Sequence, residues 1–522
     1  MACEHPRRTC INAGHLPLAL VYPNTYRVGM SSLGFQTVFR LFGNAGPFRC
    51  ERAFLYEDRF SHFTSTLETE KSLRTFPLIG FSLSYELDYP SLLTILNRAG
   101  VPALARYRDA GDPLILVGGV SAFYNPAVLA SVADAIFIGE LEAFMEELTA
   151  LCAGSEFETM PRQEILQHLA RIEGVYVPSV HGLSPPFQSI KRRHMQIGNS
   201  EPSTSLWVTE KAHLNMFLTE IGRGCGRGCR FCAAGHVYHP FRVWSMDAIM
   251  GAVEKYSRPG DRIGLVGAAL SDFKDLDALC EHLVRGGRKI GLSSLRADCI
   301  NATLMESLQS SGIHSITMAP EAGSERLRTI LNKRITDEQI LSAVELIAAY
   351  DVRQLKLYYM IGLPFEESGD IQAIGDLTGQ IARRFFSRRL SREIRVSINA
   401  FIPKPFTPFQ WAPLAGDRDI KSKRKMLHSL LNRLPGVSMT QKSGKSELLQ
   451  AVLSLGNFST GERLAAGTAA SLHELAADEQ VMDWLHKEKD REALFPWDFL
   501  ECGVNKARLW QSWRKAKSLA KG

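Results

Sequence analysis

With 522 residues, of which 45% are hydrophobic and 22% charged, and a net charge of +6, the chain is too long for one hydrophobic core and predicts two to four globular domains. It has no recognisable secretory leader and no apolar run of the roughly 18 residues that a membrane span needs, which predicts a soluble cytoplasmic protein without a membrane partner. Its ten cysteines are too unevenly spaced for a disulfide framework and favour reduced thiols, some of them ligands.

The first predicted domain covers residues 1–153 and alternates short apolar strands with helices. The strand-like runs include LPLALVYP, FPLIGFSLS, PLILVGG and ADAIFIGE, with helices near 35–42 and 89–96. This alternation predicts an α/β fold with a doubly wound, Rossmann-like parallel sheet, which binds ligands at the carboxyl ends of its strands. The residues at those ends are either ligand contacts or tight turns: Ser82, Ser84, Gly118, Gly119, Gly139 and Glu140.

A polar connector is predicted over 154–205, and a second alternating series over 206–415 follows it. Its strand-like runs are NMFLTEIG, RIGLVGA, KIGLSSLRA, HSITMAP, QLKLYYMIG and IRVSINAFI. Six β/α units predict a partial (β/α)6 barrel, smaller than the closed eight-unit barrel. One helix of the series is expected to start at Thr336, because Gln339 has the capping-box spacing.

Residues 416–522 are predicted as a mainly helical C-terminal domain that ends in a basic segment. Trp510 and Trp513, three residues apart, indicate the apolar face of a packed helix. The basic segment favours a solvated helix end over contact with nucleic acid. Its cations, with no acid beyond Glu501, are Lys506, Arg508, Arg514, Lys515, Lys517 and Lys521.

A cysteine motif follows the first strand of the barrel series. In GRGCGRGCRFC, the residues Cys225, Cys229 and Cys232 have CxxxCxxC spacing, and three soft thiolates on one loop suit an iron–sulfur cluster. Zinc remains an alternative because His236 and His239 are near, although a structural zinc site normally takes four paired ligands. Three cysteines on a four-iron cluster leave one iron without a protein ligand, so the motif predicts a substrate bound to iron.

The CxxxCxxC motif, with Phe231 before its third cysteine, resembles that of the radical S-adenosylmethionine (SAM) superfamily. The resemblance implies a [4Fe–4S] cluster at which SAM is cleaved reductively to methionine and a 5′-deoxyadenosyl radical. It also implies an electron donor such as flavodoxin or ferredoxin, and a substrate that is a small molecule or a macromolecule.

Residues at later strand ends resemble the SAM contacts of this superfamily. Gly267 and Ala268 resemble the segment for the SAM amine, without its usual acidic residue, and Glu321 resembles a polar contact. Ser294 and Arg296 resemble the ribose and carboxylate contacts. The SAM-binding set implied in this way is Phe231, Gly267, Ala268, Ser294, Arg296, Glu321, Gly362 and Leu363, the last two beside adenine.

The N-terminal domain, with SLS, VGG and a strand ending in GE, resembles the cobalamin-binding domain of class B radical SAM proteins. The resemblance implies that the strand-end residues named above line a pocket for cobalamin. The DxHxxG motif that supplies a histidine to cobalt is absent, and the stretch there reads NTYRVGMSSLG. The lower face of cobalt is then empty or faces Tyr26, Arg27 or Met30. Across nearly the whole chain, stretches such as APEAGSERLR and FPWDFLECGV resemble an uncharacterised family with this architecture.

The favoured function is a radical SAM enzyme that carries out cobalamin-dependent methyl transfer or rearrangement at an unactivated carbon. A cobalamin-independent radical SAM enzyme is an alternative, acting by cyclisation or by methylthiolation, since FIPKPFTPFQW resembles the barrel exit of methylthiotransferases. An alternative of another class is an RNA-binding protein with a vestigial cluster, because aromatic side chains beside cations can stack on bases.

Overall fold

A computed structural model describes residues 4–55, 64–154, 156–183, 188–198, 200–387, 391–467 and 474–521. The chain forms two compact units. Unit 1 contains 1–215, 449–484 and 492–504, and unit 2 contains 216–448, 485–491 and 505–522. Residues 416–522 are thus shared between the units rather than gathered into one domain. No helix among the described residues is both long and apolar enough to cross a membrane.

Unit 1 is built on a six-stranded sheet. Its spatial order is β2-β1-β3-β4-β5-β6, with parallel pairing except for the antiparallel β6. This order is that of a doubly wound fold whose strand order reverses between β1 and β3, so the predicted sheet is confirmed. The strands are β1 Leu16–Tyr22, β2 Phe48–Phe54, β3 Leu78–Ser82, β4 Leu114–Gly118, β5 Ala135–Phe137 and β6 Val175–Tyr176.

Helices and two small strand pairs complete unit 1. The helices predicted near 35–42 and 89–96 are present as Leu33–Asn44 and Tyr89–Arg98. Glu4–Pro6 pairs with Trp207–Thr209, and Leu500–Glu501 pairs with Ile190–Lys191. Further helices are Tyr26–Gly29, Val120–Tyr124, Met145–Cys152, Glu156–Thr159, Arg162–Ala170, Pro178–His181 and Phe458–Ala466. The helices Gly444–Leu455 and Glu479–His486 each contain one of the positions at which the chain passes from one unit to the other.

Unit 2 is a partial barrel of seven parallel strands. They form the sheets β7-β8-β9 and β10-β11-β12-β13, joined by one parallel bridge between Leu295 and Met318. All six predicted strands are present, and β13 is a seventh that the sequence did not indicate. The strands are β7 Phe217–Glu220, β8 Arg262–Val266, β9 Lys289–Gly291, β10 Ser315–Glu321, β11 Gln354–Ile361, β12 Glu393–Ala400 and β13 Val437–Gln441.

Helices follow most of the barrel strands. The capping box at Thr336 is confirmed, because its backbone N–H and hydroxyl both bond to Gln339, at 3.0 and 3.1 Å. The short strands Gly222–Arg223 and Arg242–Val243 pair across the loop after β7. The helices are Ala234–Val237, Met246–Tyr256, Leu276–Arg285, Ala302–Ser310, Glu325–Ile330, Asp337–Ala349, Ser368–Phe386, Asp417–Leu431 and Lys506–Lys521.

Candidate functional site

The three motif cysteines lie on the loop that leaves the carboxyl end of β7. Cys225, Cys229 and Cys232 are half-buried and free of disulfides. Gly224, just before the first cysteine, and Gly228, between the first two, have φ values of 83° and 68°, a backbone conformation that glycine adopts without strain. These turns shape the cluster loop, residues 222–232, which carries all three thiols on one short segment.

Burial favours the protonated thiols of Cys229 and Cys232 in the cluster loop. Burial raises the pKa of the Cys229 thiol, while nearby Lys333 and Arg296 act to lower it. Burial also raises the pKa of Cys232 to about 11, and the negative charges of Cys229 and Cys225 add to the rise. Thiols of this kind become thiolates when metal binds and releases the protons.

A [4Fe–4S] cluster fits the residues that the loop presents. Three soft sulfur ligands on one loop match a cluster with one open iron. The backbone N–H of Arg227 donates to Cys225 Sγ at 3.5 Å, which is the kind of contact that stabilises a thiolate ligand. Among the described residues, no three His, Cys, Asp or Glu side chains converge on a position for a single metal ion.

The zinc alternative depended on the two histidines that follow the loop. His239 is exposed at the surface, whereas His236 is half-buried. Burial lowers the pKa of His236 to about 4, and its Nε2 atom has no hydrogen-bond partner among the described residues. His236 is therefore neutral at physiological pH.

Arg230 anchors the cluster loop from the position between the second and third cysteines. The side chain is 3% exposed, and its Nη1 atom donates to the carbonyls of Thr329 at 3.2 Å and Ile330 at 2.6 Å. Its Nε atom donates to both the carbonyl and the hydroxyl of Ser512, each at 3.1 Å. Asn332 Nδ2 adds a bond to the Gly228 carbonyl at 2.8 Å. The loop is thereby fixed to residues 329–332 and to the C-terminal helix.

Glu321 stands at the carboxyl end of β10 in an uncommon backbone conformation. Its φ is 71°, and the β10–β11 register shifts between Met318 and Glu321. Its Oε1 atom accepts from Lys333 Nζ at 3.0 Å, and Lys333 is only 8% exposed. Since both charges affect the Cys229 thiol, this ion pair lies beside the cluster loop. The sequence pattern indicated Glu321 but not Lys333.

Arg296, predicted to bind the SAM carboxylate, belongs to a network of four charged side chains. Its Nε and Nη2 atoms donate to the two oxygens of Asp298, both at 2.9 Å, and Nη2 also reaches the Lys333 carbonyl at 3.2 Å. Arg227 of the cluster loop joins Asp298 at 3.7 Å and Asp272 at 2.6 Å. Asp298 therefore connects Arg296 to the cluster loop, a link that the sequence did not indicate.

The other predicted SAM residues on the cluster loop and at the ends of β8 and β9 differ in their exposure. Phe231 and Gly267 are half-buried, whereas Ala268 and Ser294 are exposed. A side chain at Gly267 would press on Ile221 and the Gly222 carbonyl, at 3.3 and 3.4 Å. Gly267 therefore lets the end of β8 approach the start of the cluster loop.

Gly362 and Leu363 form a tight turn at the end of β11. Gly362 has a φ of 71°, and its N–H donates to Glu366 Oε1 at 2.9 Å. Burial raises the pKa of Glu366, while Lys423 and the N–H groups of Gly362 and Leu363 lower it. The backbone N–H groups of this turn are thus already bonded, the Leu363 carbonyl accepts from Glu366 N at 3.2 Å, and the Leu363 side chain is only 4% exposed.

In unit 1, the carboxyl edge of the sheet is open above β3 and β4. Ser82, Ser84, Gly118 and Gly119 are all half-exposed. Gly119 has a φ of 102°, and a Cβ atom there would overlap the backbone of Leu83. The tight packing of this strand end accounts for Gly119, while the edge itself remains accessible at the reversal point of the strand order, where doubly wound sheets bind ligands.

The same edge is closed above β5. A Cβ atom at Gly139 would overlap the backbone of Arg193, and Glu140 is 8% exposed. The backbone N–H of Glu140 donates to the Arg193 carbonyl at 3.1 Å, and the Oε2 atom of the Glu140 side chain accepts from the Met195 N–H at 3.0 Å. The chain around Arg193 thus occupies the space in front of both predicted residues.

The three side chains considered for cobalt differ in their accessibility. Tyr26 donates to Glu4 at 2.6 Å. Met30 is 2% exposed and contacts Arg52 through its sulfur at 3.4 Å. Arg27 alone of the three is exposed. A cobalt ion above this edge therefore has no ready side-chain ligand among the three.

A second cluster of the methylthiotransferase kind would need cysteines of the N-terminal domain. Cys50 lies within β2 and is fully buried, and burial raises the pKa of its thiol well above the usual value. Cys10 is half-buried, and Cys3 lies outside the described residues. The side chain of Cys50 packs in the core, whereas a cysteine that binds a cluster would need to lie on an exposed loop.

Segments of both units match known protein families. Residues 34–178 match the family described as radical SAM proteins, N-terminal, and residues 219–378 match the radical SAM superfamily. The second match begins in β7, contains the cluster loop and continues past β11. The uncharacterized protein MJ0966 of Methanocaldococcus jannaschii is 28% identical over 442 residues, which are 84% of this chain and 88% of that protein.

Solved structures of OxsB, a cobalamin-dependent S-adenosylmethionine radical enzyme, also match. One with aqua-cobalamin and S-adenosylmethionine bound is 15% identical, with a TM-score of 0.43, and one with aqua-cobalamin has a TM-score of 0.44. Each match covers 80% of this chain and 56% of OxsB. The match thus spans little more than half the length of OxsB.

The matched superfamily segment contains the three-cysteine loop after the first strand of the partial barrel. These features define a radical SAM enzyme, and the chain belongs to the radical SAM superfamily. Enzymes of this superfamily use a [4Fe–4S] cluster and SAM. The segment ahead of the barrel is a radical SAM N-terminal domain.

Proposed function

We propose that Cys225, Cys229 and Cys232 hold the cluster and that the charged network at the carboxyl ends of β8 to β10 binds SAM. A [4Fe–4S] cluster supplies the electron that cleaves bound SAM to methionine and a 5′-deoxyadenosyl radical. The observation that carries the proposal is the buried Glu321–Lys333 pair beside Cys229. It provides a cation for a carboxylate and an anion for an ammonium group next to the cluster loop, as the methionine part of SAM requires.

The chain's own residues then divide the task of holding SAM. Lys333 and Arg296 supply positive charge for the SAM carboxylate, and Arg296 is oriented by its two bonds to Asp298. Glu321 supplies the acid that the Gly267-Ala268 segment lacks. The turn at Gly362 and Leu363 borders the adenine, and Ser294, which is exposed, is available to the ribose.

The experiment is anaerobic reconstitution followed by spectroscopy. Wild-type protein should bind about four iron and four sulfide per chain, and SAM should shift the electron paramagnetic resonance spectrum of the reduced cluster. Lys333→Met should keep the iron but require a higher SAM concentration for that shift. A spectrum that SAM leaves unchanged in the wild type would contradict the proposal.

We further propose that unit 1 binds cobalamin above β3 and β4, and that the enzyme methylates or rearranges an unactivated carbon. The accessible edge at Ser82, Ser84, Gly118 and Gly119 supports this site, since these residues let a ligand approach the backbone closely. Bound cobalamin supplies a methyl group or a rearrangement centre. Gly139 and Glu140 take no part, because the chain at Arg193 covers them.

Cobalt content tests the second proposal separately from the first. Protein produced with cobalamin should retain about one cobalt per chain, and Ser84→Trp, which fills the edge, should lose it while iron is retained. A methyl transfer reaction should release S-adenosylhomocysteine together with 5′-deoxyadenosine. Release of 5′-deoxyadenosine alone from a cobalt-free protein would instead favour a cobalamin-independent reaction such as cyclisation.

A further inference from the structure

The C-terminal helix Lys506–Lys521 contacts Arg230, the residue that anchors the cluster loop. Trp513 on its inner face is 1% exposed, and its ring lies 5.2 Å from that of Phe365 and 5.7 Å from that of Phe409. Ser512 beside it accepts both bonds from Arg230, which stands between two cluster cysteines. The outer surface of this helix is therefore separated from Arg230, the anchor of the cluster loop, by one helix diameter, roughly 10 Å.

The outer face of this helix is strongly basic. Four of its cations are exposed and form no ion pair with any residue that the structure describes: Arg508, Arg514, Lys515 and Lys521. Lys517 differs, since it pairs with Glu488 at 2.5 Å and lies over the Trp513 ring. The helix contains no acidic residue. An unbalanced positive patch of this kind attracts a negatively charged partner.

The aromatic residues of the helix argue against nucleic acid as that partner. Trp513 is buried, and Trp510 packs edge-on against Trp411 at 5.2 Å. The Trp513 ring is therefore unavailable to bases and the Trp510 ring is already packed against Trp411, whereas single-stranded nucleic acid binding stacks bases on accessible rings. The prediction that both tryptophans form the apolar face of a packed helix is borne out by these contacts.

Reductive SAM cleavage consumes one electron for each SAM, and the proposed function requires a donor for it. We propose that the outer face formed by Arg508, Arg514, Lys515 and Lys521 is the docking surface for an acidic, low-potential electron-transfer protein that carries a flavin or an iron–sulfur cluster. The donor is oxidised by one electron, and that electron breaks the S–C bond of SAM. The inference rests on the proposed function, because a protein that cleaves no SAM needs no such donor.

The test compares two double variants that change charge equally. Arg514→Glu with Lys515→Glu reverses the outer face, and Lys255→Glu with Lys289→Glu reverses exposed cations at the amino ends of the barrel strands. The probe is an acidic flavodoxin, reduced by its reductase and NADPH, and dithionite is the small-molecule reductant. Formation of 5′-deoxyadenosine is measured against flavodoxin concentration at low and high salt.

We expect the helix variant to need at least about tenfold more flavodoxin for half-maximal rate and to lose most of the salt dependence. Its rate with dithionite should stay within about twofold of wild type, and the control variant should match wild type with both reductants. Unchanged flavodoxin dependence, or an equal loss with dithionite, would overturn the docking surface while leaving SAM cleavage intact. Loss of binding to a single-stranded RNA probe with flavodoxin dependence unchanged would overturn it in favour of nucleic acid. Absence of cleavage in wild type with either reductant would instead overturn the proposed function.

Discussion

The ammonium group of Lys333 lies 3.0 Å from the carboxylate of Glu321, and this pair borders Cys229 of the cluster loop. Lys333→Met removes a buried cation that the SAM carboxylate would use. Charge-assisted hydrogen bonds contribute about 1.5–3 kcal/mol, so we expect the KM for SAM to rise roughly 10- to 100-fold. Steady-state formation of 5′-deoxyadenosine measures it. The control is Arg334→Met, an exposed neighbour, and an equal rise in both variants would contradict the assignment.

Arg230→Met should weaken both the fold of unit 2 and its hold on iron. The substitution removes a charged donor from the buried carbonyl of Ile330 and from the partly buried carbonyls of Thr329 and Ser512. An unsatisfied buried group costs about 1–3 kcal/mol, so the free energy of unfolding should fall by about 1–3 kcal/mol. Urea unfolding of the iron-free protein and iron content after reconstitution provide the measurements. Arg285→Met, at a 78% exposed side chain, should change neither, and retention of full stability and iron by Arg230→Met would refute the anchor.

Gly119→Ala combines steric overlap with backbone strain in unit 1. Gly119 and Gly46 both have positive φ, but a Cβ atom overlaps the Leu83 backbone only at Gly119, whereas Gly46 has open space around it. We expect Gly46→Ala to cost about 1 kcal/mol of unfolding free energy. Gly119→Ala should cost about 3 kcal/mol or more because neighbouring backbone must move. Equal losses by chemical denaturation would mean that the packing at Leu83 does not constrain this strand end.

Asp88 in unit 1 should make stability depend on pH. Burial raises its pKa to about 6, with Glu86 adding to the rise and Asn24 opposing it. Folding therefore favours the protonated acid, so its contribution to stability is complete below ~pH 4 and is lost as pH rises through ~6. Asp88→Asn, which stays neutral, should gain stability relative to wild type at ~pH 7.5 compared with ~pH 4.5. Thermal unfolding at both values checks this, and a pH-independent difference between the two proteins would contradict the raised pKa.

The sequence predicted strands whose side chains alternate or are continuously apolar, and it missed strands that are stabilised by distant partners. In β2, Glu51 and Arg52 are about 2% and 1% exposed. Arg52 forms ion pairs with Glu4 and Glu68. Glu51 accepts hydrogen bonds from the hydroxyls of Thr66 and Thr69. Buried charges persist in a strand when they are paired in this way, and nothing in the local sequence FRCERAF reveals such partners.

The cluster loop was predictable because its ligands are adjacent in sequence, whereas the groups around it come from several strand ends. Lys333 follows the Glu325–Ile330 helix in a stretch that has no motif of its own. Asp272 and Asp298 were likewise missed, although each meets Arg227 of the loop. Acidic and basic residues just beyond successive barrel strands would have been the signal, since the carboxyl ends of parallel strands meet at one edge. At β5, the covering of Gly139 and Glu140 by Arg193 depends on a contact between segments about 54 residues apart.

Cysteine-dependent SAM cleavage tests the central claim most directly. Anaerobically reconstituted wild type, the matched control Cys10→Ala and the triple variant Cys225→Ala, Cys229→Ala and Cys232→Ala are each given SAM and dithionite, and 5′-deoxyadenosine and methionine are quantified. We predict equal amounts of the two products from wild type and Cys10→Ala, and neither product above background from the triple variant. Cleavage that persists without the three cysteines, or its absence in wild type with a full complement of iron and sulfide, would contradict the account.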